Sequence, residues 1–411
     1  AWQEQDVTGS PYAIYSYEVD PFLGSTTDLL KLKADLNSLG LGLILDFVPN
    51  HLAIDHPWTN HHPEFFIQGK SKDAAENPEL FFKINKRYLA HGKDPYFSPW
   101  SDTAQINYFS NDARQALIDE LLKIALMADG VRCDMAMLVI NRIFTSTWDP
   151  YLETFKQPGR EFWQEAIEQV KSLYPDFIFI AEAYWDLERE LQNQGFDYTY
   201  DKKLYDLLVH AGADKIQDYL KSDLSYQEKC VRFIENHDEP RAASVFGIEK
   251  SFAAACITAT LPGMHFFHDG QKQGNTVKLP VQLSRKPEEK PNPECIASYE
   301  RLFAYIHDEA FHSGIWQLVD ISPAWQGNES FGNVLAWLWH AGGRTKLVIV
   351  NYSASTSQAR TVLPDKFIGK KQIIFKDHAD DAVYKRDTAE LTESGLYVVL
   401  GPWKIHLFDL L

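Results

Sequence analysis

The sequence predicts an α/β fold, a (β/α)8 barrel followed by an antiparallel β domain. Three observations carry that expectation. Short branched apolar runs alternate with segments of helical period, the pattern of βα units around a parallel sheet. The runs end in polar, chemistry-capable side chains. After about Trp316 the helical segments stop, and VLAWLWH, TKLVIVNY, QIIFKDH and YVVLGPWKIHLF read as short strands separated by turn residues.

Taken in order, TDLLKLKADLNSLG has apolar positions three and four apart and ends near Gly40, so it reads as a helix. LGLILDF, ending near Asn50, is the first strand. From His51 to about Tyr108 the period is lost, and aromatics, Pro, Gly and His accumulate. So long an irregular excursion reads as a functional insertion. Strands follow at GVRCD (130–134), FIFIAE (177–182), GFDYTY (195–200), VRFIE (231–235) and GMHFFH (263–268). The helices ARQALIDELLKIALMADG, with Gly130 read as its terminal glycine, and EFWQEAIEQVKSLYP lie among them. Six strands of the parallel kind are countable.

The chain has 411 residues, 45% hydrophobic and 24% charged, which suits one large core and a smaller one. A formal net charge of −17 without a Lys/Arg run argues against nucleic acid or an anionic membrane as partner. Cys133, Cys230, Cys256 and Cys295 are far apart and form no CxxC pair, so they read as scattered buried thiols. No run approaches a membrane span, and AWQEQDVTGS lacks the regions of a signal peptide, so a cytoplasmic location is expected.

In a barrel all strands point one way, and their C-terminal ends form one face. Asp46, Asn50, His51, Arg132, Asp134, Glu182, His237 and Asp238 all stand at such ends. Each alone suits a turn, but together they point to a site.

Four of these segments, in order, resemble the motif regions of the α-amylase family of glycoside hydrolases (family 13): DFVPNH at 46–51, GVRCD at 130–134, IAEAYW at 180–185 and FIENHD at 233–238. NHDEPR is similar to the NHDQPR of the α-glucosidase and oligo-1,6-glucosidase branch. TAQINY resembles a fifth region, with Gln105 where an Asp is common. The resemblance implies a TIM barrel with an insertion after strand 3 and a C-terminal antiparallel domain. Its domains would be 1–50 (barrel, from the loop after strand 2 through strand 3), 51–108 (inserted domain B), 109–314 (remainder of the barrel) and 315–411 (β domain). It also implies two strands ahead of DFVPNH that are not found here. The expectation is therefore a fragment, or a barrel completed by a second chain or an upstream segment, since open edges are avoided.

By resemblance Asp134 is the nucleophile of a retaining α-glycosidase, Glu182 the general acid and then base, and Asp238 the third carboxylate. Retention needs two carboxyls about 5–5.5 Å apart. Arg132, two residues from Asp134 on one strand face, is expected to hold that carboxylate ionised. Glu182, after FIFIA, is expected in an apolar setting that raises its pKa. Tyr12, His51, Arg132, His237 and Arg241 are the expected substrate-binding residues, Arg241 toward the bound ring or Asp238. Asp46 is read as a brace for Arg132, and Glu235 and Glu239 as supporting or solvent-facing groups. Sugar platforms are expected among Trp58, Tyr96, Trp100, Tyr108, Tyr184 and Trp185.

Departures from the family pattern accompany these matches. Met137 and Leu138 replace a Lys-His pair on the leaving-group side, and Met135 follows the nucleophile, so linkage stays open. No cofactor is required by this chemistry, although Asn50 matches a position that ligates calcium in many relatives. The substrate expected is a short α-glucoside or oligosaccharide. Transfer to a sugar or phosphate shares the same glycosyl-enzyme. Two further alternatives are a non-catalytic carbohydrate-binding relative and a metal hydrolase built on DHPWTNHH (55–62), whose spacing matches no helical zinc motif.

Overall fold

The computed structural model describes residue 3, residues 6–364 and residues 371–411. Parts of the predicted first and last domains, residues 1, 2, 4, 5 and 365–370, lie outside the described residues. The chain divides into two compact units, Ala1–Tyr200 with Val281–Ser284, and Asp201–Pro280 with Arg285–Leu411.

In the first unit the strands in chain order are β1 Ile44–Phe47, β2 His51–Ala53, β3 Gln68–Gly69, β4 Phe81–Ile84, β5 Arg87–Ala90, β6 Thr103–Gln105, β7 Gly130–Cys133, β8 Ile178–Ala181 and β9 Tyr198–Tyr200. β1, β7, β8 and β9 pair in parallel in that order. Among the described residues no strand precedes Ile44. The register sets Asp46 opposite Arg132, and Cys133 opposite Ala181. The residues one step on, Asp134 and Glu182, therefore leave the sheet side by side.

Helix Thr26–Ser38 starts on a capping box in which Ser25 Oγ accepts from the Asp28 N–H and the Asp28 carboxylate accepts from the Ser25 N–H. Such a cap contributes about 1 kcal/mol. No residue of this helix is fully buried, although its period predicted an apolar face. Helices Asn111–Met127 and Phe162–Leu173 do bury their stripes, through Leu117, Leu121 and Ile124 and through Trp163, Ile167 and Val170. Trp163 carries its polar end inward, where Nε1 donates to the Ala136 carbonyl at 2.8 Å.

Two expectations are corrected here. Gly130 begins β7 and does not end a helix; a Cβ there would meet the Ile178 carbonyl oxygen and Ile44 Cδ1 at 2.6 Å, so close sheet packing requires the glycine. The segment 51–108 is not irregular throughout, because β2 pairs with β6 and β3, β5 and β4 form a small antiparallel sheet. Strands of two to four residues are too short to print a period.

In the second unit β10 Cys230–Arg232 and β11 Met264–His265 pair in parallel. Helix Ile248–Thr260 is buried almost throughout, and helix Pro293–Ile306 begins on the Asn292 cap. The C-terminal strands are β12 Ile315–Leu318, β13 Asp320–Pro323, β14 Val334–Ala341, β15 Arg344–Asn351, β16 Ser357–Val362, β17 Gln372–Asp377, β18 Val383–Asp387, β19 Leu396–Leu400 and β20 Ile405–Leu410. They form antiparallel sheets ordered β12-β14-β15-β20-β17-β18 and β13-β16-β19. β14 packs Trp337 and Trp339 toward helix Ile248–Thr260, both indoles donating to the Thr260 carbonyl. Helix Thr388–Ser394 interrupts a region predicted to hold strands alone. All four cysteines are buried free thiols.

Candidate active site

Arg132 organises the site of the first unit. Its Nη1 donates to both Asp46 oxygens at 3.0 Å and to Asp134 Oδ1 at 2.9 Å, and its Nη2 lies 2.7 Å from Glu182 Oε2. The rings of Tyr12 and Tyr200 lie over the guanidinium at 5.6 and 5.8 Å. Backbone bonds fix the two later carboxylates, because the Asp134 N–H donates to the Phe47 carbonyl and the Glu182 N–H to the Cys133 carbonyl. Asp134 and Glu182 therefore share one guanidinium, and Asp46 braces Arg132 as expected.

Arg132 acts on Asp134 in the expected direction but does not outweigh burial. Burial pushes the Asp134 carboxyl well above the usual range; Arg132 opposes this, and the charges of Glu182 and Asp46 add to the rise. Arg132 thus favours the charged form of Asp134 but shares its guanidinium with two further carboxylates. Burial also disfavours the charge on Arg132, but Glu182, Asp46 and Asp134 outweigh it and keep the guanidinium charged.

Glu182 does not sit in a purely apolar pocket. The Met135 N–H donates to its Oε2 at 2.8 Å and the Tyr184 hydroxyl to its Oε1 at 2.7 Å. Met135 achieves this in the left-handed region, φ 37°, a conformation that costs a side-chain-bearing residue about 1–3 kcal/mol and clusters at functional sites.

His51 opens β2 and is buried, and burial lowers its pKa to about 4 against a hydrogen bond with the Tyr12 backbone. It is neutral at neutral pH, suited to hydrogen bonding and not to charge pairing. Its ring lies 5.0 Å from that of Trp100. The Tyr12 hydroxyl donates to Asp46 Oδ2 at 3.4 Å, so Tyr12, His51, Asp46, Arg132, Asp134 and Glu182 form one connected group.

The remaining expected residues lie in the second unit. Asp238 follows β10; its N–H donates to Asn236 Oδ1 at 2.9 Å, its carbonyl accepts from Lys278, and His237 Nε2 lies 3.0 Å from its Oδ2. Arg241, an expected substrate-binding residue, is engaged within the protein. It is buried, and its Nη1 bonds Glu235 Oε1 at 2.7 Å, the Asp269 carbonyl at 2.6 Å and the His268 ring. Its donors hold the loop after β10 against the segment after β11. Glu235 is likewise buried, with Oε2 accepting the Ala242 N–H at 2.6 Å, so it supports and does not face solvent. Glu239 pairs with Lys202 at 3.3 Å.

With this arrangement established, comparison with known proteins decides the family. The α-amylase catalytic domain description matches residues 4–317. The chain belongs to the α-amylase family of glycoside hydrolases, family 13. It is 24% identical over 298 residues to Alpha-amylase 3 of Dictyoglomus thermophilum, covering 66% of this chain and 55% of that protein. It is 25% identical over 298 residues to an alpha-1,4-glucan:maltose-1-phosphate maltosyltransferase of Rhodospirillum rubrum, covering 65% and 38%. The chain thus spans about half, or less, of the length of these curated relatives. The structure resembles the noncanonic maltogenic alpha-amylase AmyB of Thermotoga neapolitana at a TM-score of 0.72 and 21% identity, covering 98% of this chain and 85% of that one. That likeness shows the family fold, a (β/α)8 barrel with a C-terminal antiparallel β domain.

For this α-amylase-family chain, sequence reading missed the Met135 N–H and the Tyr184 hydroxyl as partners of Glu182. Tyr184 carried a signal, standing two residues beyond the acid. Met135 carried none, since a backbone donor is invisible in side-chain identity. The residues do not fit calcium at Asn50, because Asn50 Oδ1 accepts from Gln105 Nε2 at 3.1 Å. Among the described residues no three His, Cys, Asp or Glu are grouped to hold a metal, those of DHPWTNHH included. None of the helices described is long and apolar enough to cross a membrane.

Proposed function

We propose that this chain is a retaining α-glycosidase that cleaves α-glucosidic bonds of short oligosaccharides by double displacement. The observation that supports the reading is the sharing of Arg132 by Asp134 and Glu182, which brings two carboxyls to one guanidinium, as a nucleophile and an acid serving one anomeric carbon require. Asp134 attacks that carbon while Glu182 protonates the leaving oxygen; Glu182 then removes a proton from water, which displaces Asp134. Tyr184 and the Met135 N–H aim the Glu182 carboxyl through both steps. Tyr12 and neutral His51 meet the ring and its hydroxyls. Asp238, with His237, takes the third-carboxylate role by motif alone. Arg241 acts through Glu235 and His268 as a positioning residue. The two steps need no cofactor.

Met137 and Leu138, where relatives hold a polar pair for the leaving side, are buried. The exposed aromatics of this unit supply another surface. Tyr96 and Trp185 lie edge to face at 5.0 Å, and Trp185 stands three residues beyond the acid with φ 64°. Rings held open to water this way suit the apolar face of a leaving sugar. Tyr96→Ala and Trp185→Ala are each expected to weaken kcat/KM on maltotriose and longer chains about tenfold, or about 1.4 kcal/mol, with little change on an aryl α-glucoside. Kinetics on a length series checks this.

A second reading, transfer of the glycosyl group to a sugar or phosphate, draws support from the maltosyltransferase relative. Product analysis on maltose, isomaltose, trehalose, sucrose and maltooligosaccharides, with and without phosphate, tests both. Free glucose or maltose in water supports hydrolysis. A sugar phosphate, or longer products at the expense of free sugar, supports transfer. No turnover of any of them contradicts both.

A further inference from the structure

Three oxygens converge on the side-chain nitrogen of Gln105, a fully buried residue that ends β6. Gln105 Nε2 lies 2.8 Å from the Asn50 carbonyl oxygen, 3.1 Å from Asn50 Oδ1 and 3.1 Å from the Ile106 carbonyl oxygen. The neighbours fix which end of the amide is which. Gln105 Oε1 faces the Lys93 N–H at 3.4 Å, whereas the flipped amide would press an oxygen against three oxygens. An amide nitrogen has two hydrogens, so three acceptors are more than it serves fully. Carbonyl and amide oxygens pointed at one buried centre are the donor set of a hard cation.

We infer that the Gln105 amide occupies the place of a cation, so that a neutral hydrogen-bonded clamp, and not bound calcium, ties the segment 91–106 to the end of β1. The clamp reaches both sides of the insertion. Asn50 Nδ2 points at the Lys93 carbonyl at 3.5 Å and lies 3.3 Å from His51 Nδ1, so the tie also holds the chain that carries His51. An amide does this work without burying a charge and without a ligand that mass action can remove. A carboxylate at the same position would turn its oxygens on three others and call for a positive ion between them. The inference concerns the cation dependence of folding and stands independently of the glycosidase reading.

The test is thermal unfolding of wild type and Gln105→Glu, each in excess EDTA and in millimolar calcium chloride, followed by circular dichroism. Glu differs from Gln by an oxygen in place of the NH2, so shape is kept while the donor is lost. Wild type is expected to melt at the same temperature in both buffers. Gln105→Glu is expected to melt lower in EDTA, by about 5 °C or more, and to rise when calcium is added. The inference is overturned if wild type loses stability in EDTA, a result that needs no variant. It is equally overturned if Gln105→Glu melts with wild type in EDTA, or does not respond to calcium.

Discussion

Asp134→Asn is expected to lower turnover by about 10⁴-fold or more, roughly 5 kcal/mol of barrier, while the fold persists. The amide keeps the size of the carboxyl and leaves a hydrogen-bonding atom near Arg132, so packing changes little. What it removes is the lone pair that forms the bond to the anomeric carbon, and no neighbour replaces it. Asp46 grips the same guanidinium nitrogen, but from the β1 side. Near-normal turnover by Asp134→Asn, measured on the substrate that wild type cleaves best, would remove Asp134 from the chemistry.

Arg132→Met is expected to damage both activity and stability. With the guanidinium gone, Asp134 and Glu182 face each other buried and unpaired, and leaving charge uncompensated in this way costs about 3–5 kcal/mol. The pH dependence follows from the direction of the Asp134 shift. Its folded-state pKa already lies above the ordinary value, so below the ordinary pKa it costs nothing. As pH rises through the folded value the folded state must release the proton, and stability is lost. Removing Arg132, which holds that value down, extends the loss to higher pH and deepens it. The melting temperature of Arg132→Met should therefore fall further below wild type at pH 7 than at pH 4. Equal deficits at both would mean that the guanidinium acts by packing alone.

Much of this arrangement was legible in the sequence because barrel strands end where side chains change from apolar to polar. Asp46, Arg132, Asp134 and Glu182 each follow a branched run, and the parallel register then leaves them no choice but adjacency. What the chain kept hidden depends on contacts between residues distant in order. Arg241 gave no sign in sequence that Glu235 and the Asp269 carbonyl would engage its Nη1. Gly130 reads like a helix end until the Ile178 carbonyl is seen pressing on it. The direction of the Asp134 shift was hidden because it depends first on burial in the folded chain and then on the Glu182 carboxylate, which reaches it only through sheet pairing. The small strands of 51–108 were unreadable for want of length.

The central claim is that Asp134 forms a covalent bond to the sugar while Glu182 handles the proton. Its most direct test is to incubate Glu182→Gln with a 2-deoxy-2-fluoro-α-glucosyl fluoride, whose leaving group needs no acid, and map the modified peptide by mass spectrometry. The account predicts one glycosyl adduct, on the peptide carrying Asp134, and none on Asp134→Asn. A sugar attached instead to Asp46, Asp238 or another carboxylate would contradict it.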